Sequence, residues 1–514
     1  MKRARLVALA ILALALFLRV WHLTGRSLWL DEAVEYWTAT SPVAHLPSYV
    51  RDIIQDPPLY SFLLHVWMRP SSDLAWMRLL SVLFGLGSVA GAMVLGYRMQ
   101  GRAAALGAGL LMAVMPTSVY YSQELGQYAP MQCLIIWSTV ALLALAREPS
   151  RRAYVRWGVL AVASMYMYYG TPLPVLIPFL CFVVDGFRQR DRARIRAGLV
   201  TLAAVFVAIL PLLVYFIPSQ LHRGPTERAF EVGALSAVTG SFLTALKVTF
   251  AFWFSGWPST AVPGWITVAL VFVLLVFAAR SQRRFALWLG ITVVVYVGIG
   301  WLNIFPFGFR HSLILAPLFV PLVACGFGGL RSRWLRMAAT AVFAALCLAA
   351  ILSPVDRQLR QHLFGVSEGR WPETEDIGPI TKNWAEHRSP GQPTYVYYAA
   401  APAFAYYAER YAHENPTRPP DWFLHCWRNR DDAPWCREGG IYYGRWLRGM
   451  KSGDKAESIF QSMNQVPDEF WYVMAHSQKK EQDVIGRLLN QHFDFTDAYS
   501  GEDAAAVLVR RAKR

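Results

Sequence analysis

The segment that decides how this chain is read runs from Lys2-Arg3-Ala4-Arg5 through the unbroken apolar run Leu6 to Leu18 and Arg19-Val20-Trp21. It ends in Ser27-Leu28-Trp29-Leu30-Asp31-Glu32-Ala33-Val34-Glu35-Tyr36-Trp37. A basic cluster ahead of an apolar run has the outline of a secretory signal. No small-residue cleavage site follows, and Arg19-Val20-Trp21 carries the apolar stretch on, so a retained first span is expected. Beyond it, Asp31 and Glu32 sit among apolar and aromatic neighbours. At a membrane-embedded surface a carboxylate is costly, which marks the pair as a candidate site.

The whole chain fits that reading. Of 514 residues, 55% are hydrophobic and 16% charged, which excludes an ordinary water-soluble enzyme. The net charge is 50 − 34 = +16, and it is unevenly spread. Residues 1–354 hold 29 Lys+Arg against 12 Asp+Glu, whereas residues 355–514 hold 21 against 22. The basic excess flanks long apolar runs, which points to cytoplasmic loops and not to nucleic acid.

About eleven spans are expected, near 6–22, 77–97, 104–121, 128–146, 157–170, 172–185, 197–217, 265–279, 285–302, 311–328 and 336–353. With the N-terminus cytoplasmic, the connections at 98–103, 147–156, 186–196, 280–284 and 329–335 are rich in Arg, while the loop 23–76 carries only Arg26, Arg51 and Arg69. The odd count then sends the C-terminal part to the other side. A further span at 231–257 would reverse every later loop, so that segment is expected to be interfacial or re-entrant. The chain is thus expected to divide into a transmembrane domain, 1–354, whose first extracytoplasmic loop is 23–76, and a soluble extracytoplasmic domain, 355–514. In the latter, Tyr395–Tyr398 and Trp471–Met474 resemble strands and Val484, Ile485, Leu488 and Leu489 recur at helical spacing, giving an α/β domain. Cys133, Cys181, Cys325 and Cys347 fall in apolar runs as packing residues, whereas Cys426 and Cys436 are candidates for a disulfide.

Acidic residues are few in the membrane half, and Asp31, Glu32, Glu35, Asp52, Asp56, Asp73 and Glu124 all map to the outer side. For Glu35, Asp52 and Asp73 the expectation is a solvated loop charge. Asp56-Pro57-Pro58-Leu59-Tyr60 is a rigid bend that fixes a carboxylate before an apolar segment, and it also reads as a helix cap. Tyr120-Tyr121-Ser122-Gln123-Glu124 through Tyr128 joins two spans. Arg310-His311 opens another; Arg310 is alone in a long apolar neighbourhood, so a carboxylate partner or an anionic ligand is expected for it. Arg19 and Arg78, at the outer ends of the first two spans, are expected to pair with the acidic loop.

The order of these motifs, Trp29-Leu30-Asp31-Glu32, Asp56-Pro57-Pro58-Leu59-Tyr60, Arg78-Leu79-Leu80-Ser81, Tyr121-Ser122-Gln123-Glu124 with Tyr128, and Arg310-His311, resembles the GT-C membrane glycosyltransferases. The likeness is greatest to the family 39 branch, related to protein O-mannosyltransferases and lipid A aminoarabinose transferases, and covers roughly residues 1–350. It implies an inverting transfer from a polyprenyl-phosphate sugar to an acceptor hydroxyl on the outer face of a bacterial inner membrane. The acceptor is left open between protein, glycolipid and polysaccharide.

Carried over by position, Asp31 would be the general base and Glu32 would orient it or the acceptor. Arg310 would meet the phosphate leaving group, with Lys247 and Arg223 as alternatives. Asp56, Tyr60, Arg78, Glu124, Tyr128 and His311 would line the donor or acceptor site. Trp29, Tyr36, Tyr60 and Tyr169 are candidates to stack on sugar faces. No cofactor is required by the resemblance.

The sequence departs from the family pattern at three positions. Asp56 stands where His precedes the Pro pair, leaving open a divalent cation held by Asp56 with Asp31 and Glu32. Gly126 replaces a basic residue, and His311 replaces Tyr. Competing readings are a polytopic transporter and a non-catalytic membrane scaffold. Against the first, the sequence has no two-fold repeat and its acidic rim lies at one face.

Overall fold

The computed structural model describes residues 2–54, 56–221, 253, 262–302, 305, 310–329, 375–412, 422–428, 436–438, 440–444, 452–477, 479–501 and 503–512, with scattered positions between 332 and 345. The segment 231–257 apart from Trp253, residues Arg223, Lys247 and Cys347, most of the expected span 336–353 and the boundary at 354/355 lie outside these residues.

Ten of the eleven expected spans are helical. They correspond to α1 (Lys2–Val20), α4 (Leu74–Gln100), the pair α5 (Arg102–Val114) and α6 (Pro116–Ser122), α7 (Tyr128–Arg147), α8 (Arg151–Met167), α9 (Pro172–Arg188), α10 (Arg192–Pro211), α11 (Val262–Ser281), α12 (Arg283–Trp301) and α13 (Ala316–Gly329, behind the short turn His311–Ile314). Among the described residues four helices are long and apolar enough to cross a membrane, or five if the bent pair α5–α6 counts as one. The protein is a polytopic α-helical membrane protein. Two further helices, α2 (Leu30–Thr40) and α3 (Leu59–Trp67), lie in the first long loop.

The bend between α5 and α6 is 60° and has a specific cause. The carbonyl of Met112 would take its hydrogen bond from the residue four further on, but that residue is Pro116, which has no N–H. Arg19 fills the gap. Fully buried, it donates from Nη2 to Met112 O (3.1 Å) and Ser118 Oγ (3.1 Å), from Nη1 to Ala113 O (3.1 Å) and Ala15 O (3.2 Å), and from Nε to Ser122 Oγ (3.1 Å). A cation at a helix C-terminus is favoured by the macrodipole and by the orphaned carbonyls. The expected pairing of Arg19 with the acidic loop is therefore corrected: its partners are a broken helix and two hydroxyls.

The C-terminal part is a six-stranded mixed sheet in the order β2-β3-β1-β4-β6-β5. Its strands are β1 (Thr394–Val396), β2 (Cys436–Glu438), β3 (Ile441–Tyr443), β4 (Glu469–Ala475), β5 (Phe493–Gly501) and β6 (Ala504–Arg511). β1 pairs in parallel with β3 and β4, and the remaining pairs are antiparallel. Phe470-Trp471-Tyr472-Val473 is buried on both faces, as a continuous apolar strand run requires. α14 (Ile377–His387), α15 (Ala401–Tyr411), α16 (Trp422–Arg428), α17 (Ser452–Met463) and α18 (Lys479–His492) accompany it. Cys426 is disulfide-bonded, while Cys133, Cys181 and Cys325 are free thiols.

The helices α14, α15 and α16 beside the sheet are seated on α2 and the segment before it. Trp37 Nε1 donates to Pro402 O (3.0 Å), Leu28 N to Tyr407 Oη (2.7 Å), and Gly378 N to Ser27 Oγ (3.1 Å). Trp37 stacks on Phe423 with ring centroids 5.0 Å apart, and Tyr36 meets Tyr406 edge to face. Both ends of the Asp31 segment are thereby held from the C-terminal side.

Gly85 on α4 is what admits Arg19. A Cβ there would stand 2.2 Å from Ser122 Oγ and 2.7 Å from Arg19 Nε. Gly85→Ala is expected to destabilise the protein by about 1–3 kcal/mol, read as a lower Tm in detergent. Gly290→Ala, where a Cβ meets nothing within 4 Å, is the matched control and is expected to leave Tm unchanged.

Candidate active site

α2 starts at Leu30 after an extended Trp29, so Asp31 and Glu32 occupy its first turn, where the helix dipole favours carboxylates. Consecutive residues on a helix point about 100° apart. Glu32 turns inward and is 1% exposed, whereas the Asp31 side chain is 46% exposed.

Glu32 is held by the fully buried Arg78. Nε of Arg78 donates to Oε1 (2.9 Å) and Nη2 to Oε2 (2.6 Å), a two-point contact that fixes the carboxylate plane. The other N–H groups of Arg78 go to Leu23 O (2.8 Å), Arg26 O (3.0 Å) and Ser27 O (3.2 Å). All five are used inside the protein, so Arg78 fastens the loop to α4 and has none left for a ligand. Glu32 Oε1 also accepts from Leu125 N (2.7 Å), which pins the turn between α6 and α7 to the same point.

Asp31 faces Arg310, 279 residues away, with Oδ2 2.7 Å from Nη1. Both side chains are partly exposed, at 46% and 36%. His311, next in sequence, shares a 2.5 Å hydrogen bond with Tyr168 between Nδ1 and Oη, and Tyr168 in turn packs on Tyr128 and Tyr128 on Tyr121. Asp56 Oδ2 accepts from Gln127 Nε2 (2.9 Å). The helix cap read at Asp56 falls instead on Pro58, with no side-chain capping bond. Tyr60, behind it on α3, is 1% exposed.

Glu124 is 4% exposed, and its Oε2 has no hydrogen-bond partner among the described residues. Burial first, and then the Glu32 charge, push its carboxyl well above the usual range, with Arg26 and Arg310 opposing. Glu35 is the residue the sequence reading placed wrongly. It is not a solvated charge: it is 6% exposed, accepts from Ser61 Oγ (3.0 Å), and is pushed up to about 8 by burial and then by the Asp56 charge. Its spacing of four from Asp31 puts both on one helix face, which was the available signal. Trp29 and Tyr36, expected as sugar platforms, are buried against His476 and Tyr406.

Of the three carboxylates left open as a cation site, Glu32 is engaged by Arg78 and Leu125, and Asp56 accepts from Gln127. Among the described residues, the group of three ligand-bearing side chains that does gather is Glu375, His476 and Asp503.

No family model matches the chain, and no curated protein matches it in sequence. Solved structures do. The oligosaccharyltransferase of Archaeoglobus fulgidus tethered with an acceptor peptide superposes with a TM-score of 0.50 at 12% identity, over 100% of this chain and 74% of that one. ArnT from Cupriavidus metallidurans in the apo state gives a TM-score of 0.43 at 13% identity over 98% and 97%. The same enzyme bound to undecaprenyl phosphate gives 0.42 at 14% over 99% and 97%. The fold is of the GT-C type. An apolar groove of about 1310 Å³ lies between α3, α8 and α10. Its lining includes Leu59 and Phe62 of α3, Val155 and Val159 of α8, and Val200 and Ala204 of α10, with Pro58 at one end and Arg151 and Arg194 at the other.

Because Glu35 binds its proton more tightly folded than unfolded, folding is favoured below its ordinary value of 4.5 and loses that contribution as pH rises towards about 8. Thermal unfolding in detergent is expected to show Tm falling across this window. Glu35→Gln should flatten the fall, and an identical slope in the variant would refute the assignment.

Proposed function

We propose that this protein is an inverting glycosyltransferase that moves a sugar from a polyprenyl-phosphate donor to an acceptor hydroxyl at one face of the membrane. The observation that carries this is the half-exposed Asp31–Arg310 pair, a base and a cation 2.7 Å apart at the same point. The chemistry needs both. One carboxylate takes the acceptor proton as the hydroxyl attacks the anomeric carbon, while a cation neutralises the phosphate as the C–O bond to it breaks.

In the resting pair each masks the other. A phosphate arriving at Arg310 competes with Asp31 for the guanidinium and frees the carboxylate to act as base. Donor binding and base activation are then one event. The apolar groove, whose lining includes Pro58 two residues after Asp56, has the character an isoprenoid chain needs. His311, Tyr168 and Tyr128 supply a hydrogen-bonding aromatic wall beside Arg310. Glu124, whose carboxyl is pushed well above the usual range by burial, has among the described residues an unpartnered oxygen to contact a sugar or acceptor hydroxyl. Glu32 and Arg78 position the loop and do not touch substrate.

The Arg-rich connections favour an N-terminus on the cytoplasmic side, with the site and residues 355–514 on the other; the resemblance in the sequence favours a bacterial inner membrane. The C-terminal domain, seated on α2, is the part best placed to select an acceptor protein, glycolipid or polysaccharide.

The test is transfer of label from a set of polyprenyl-phosphate sugars by purified protein. Asp31→Asn is expected to lower turnover by roughly 10²–10⁴-fold and Arg310→Gln by about 10²–10³-fold, each with an unchanged melting profile. Full-rate transfer by Asp31→Asn would move the base elsewhere. Absence of transfer from every donor by the folded wild type would overturn the reading.

A further inference from the structure

Three segments far apart in sequence converge on one point of the C-terminal sheet. Glu375 lies just before α14, His476 directly follows β4, and Asp503 sits in the turn from β5 to β6. One ligand atom from each lies within 4.8 Å of the others. Glu375 is 3% exposed. Its Oε1 contacts His476 Nδ1, but its Oε2 has no hydrogen-bond partner among the described residues. A buried carboxylate oxygen left unsatisfied is costly, and native structures rarely keep one without a reason.

The backbone adds a second, independent cost. His476 and Asp503 both adopt left-handed conformations, with φ of 53° and 47°, which side-chain-bearing residues rarely take. The two turns are tied by His476 N donating to Asp503 O at 3.3 Å. Gln482 Nε2 donates to Asp503 Oδ1 (3.1 Å) and to Ser477 Oγ (3.1 Å), which orients the Asp503 carboxylate in the way outer-sphere partners orient metal ligands.

We infer that Glu375, His476 and Asp503 form a binding site for a divalent transition-metal ion such as Zn²⁺, which ties the segment before α14 to the end of β4 and the β5–β6 turn. An imidazole with two carboxylates suits zinc or a neighbouring first-row metal and disfavours calcium or magnesium, which prefer oxygen alone. Tetrahedral zinc with bonds of about 2.0–2.1 Å brings its ligands to about 3.3 Å apart, a contraction that side-chain rotation supplies. Three protein ligands leave one position for water. The metal would draw on the orphaned Glu375 oxygen and recover the cost of the two strained turns.

The site bears on the candidate active centre through one ring. Trp29 packs on the His476 imidazole with centroids 5.8 Å apart, and the Arg310 guanidinium lies 6.0 Å over the Trp29 ring. Trp29 is also the residue from which α2 starts, two before Asp31. A metal that fixes the His476 ring therefore fixes the platform under the Asp31–Arg310 pair.

The experiment is independent of any transferase activity. Purified full-length protein in detergent is stripped with chelator, equilibrated with Zn²⁺ alone, and assayed for bound metal and for Tm. The expected result is one zinc per chain, with a metal-dependent rise in Tm. His476→Gln and Glu375→Gln should lose both, while Asp56→Asn keeps both. Asp503→Asn serves as the third ligand variant should either of the first two fail to fold, which their Tm in chelator reports. Zinc retained at one per chain by the folded ligand variants, loss confined to Asp56→Asn, or a wild type that binds none would each overturn the assignment.

Discussion

Everything at the candidate site depends on the buried guanidinium of Arg78. Its five N–H groups take the carboxylate of Glu32 at two points and three carbonyls of the chain between Leu23 and Ser27. Removing one partner of such a pair costs about 3–5 kcal/mol, because the other is left as an uncompensated buried charge. The loop therefore cannot leave α4 without exposing that cost. With Glu32 immobilised, the first turn of α2 has one rotational setting, and in that setting Asp31 faces Arg310. The structural carboxylate thus determines what the neighbouring carboxylate does.

The two pairs divide the labour by solvent access. Arg78–Glu32 is closed, geometrically saturated and unable to exchange partners, whereas Arg310–Asp31 is partly open to solvent and can. An open pair is worth little to stability and is easily displaced by a competing anion. That is the property a donor phosphate requires. Arg19 makes a third arrangement, a buried cation satisfied by carbonyls and hydroxyls, and its role is to stabilise the bend that lets α6 deliver Glu124 and Leu125 to the site.

Much of this was legible in the sequence, and the failures have physical causes. Helical spans declare themselves through hydropathy alone, and Phe470–Val473 declares a buried strand by its unbroken apolar run. Asp31, Glu32, Asp56, Glu124, Arg78 and Arg310 stood out because charge is scarce in apolar surroundings. What their neighbourhood in sequence does not encode is partner choice. Arg19 was assigned to the acidic loop because an intramembrane Arg usually finds a carboxylate, and the missing N–H of Pro116, ninety-seven positions on, offered acceptors instead. The spacing of Glu35 from Asp31 puts both on one helix face, but no local signal reports that Ser61 of α3 packs against that face. Glu375, His476 and Asp503 carry no shared motif; only the pairing of β4 with β6 and the close of the β5 turn bring them together.

The packing of the C-terminal helices on α2 is the less obvious consequence of the fold. α2 has few means of its own to hold a fixed angle: it is eleven residues long and has no side-chain cap. Its inner face is fastened by Arg78 and its outer face by Trp37 and Tyr36 against α15 and α16, with Leu28 N just ahead of it bonded to Tyr407. A short helix gripped on two faces behaves as a rigid element, so the packing of α15 and α16 on it bears on how Asp31 meets Arg310. Whatever shifts α15 and α16 is in that way coupled to the Asp31–Arg310 pair through α2. The coupling runs through packed rings, which tolerate little sliding before they lose contact.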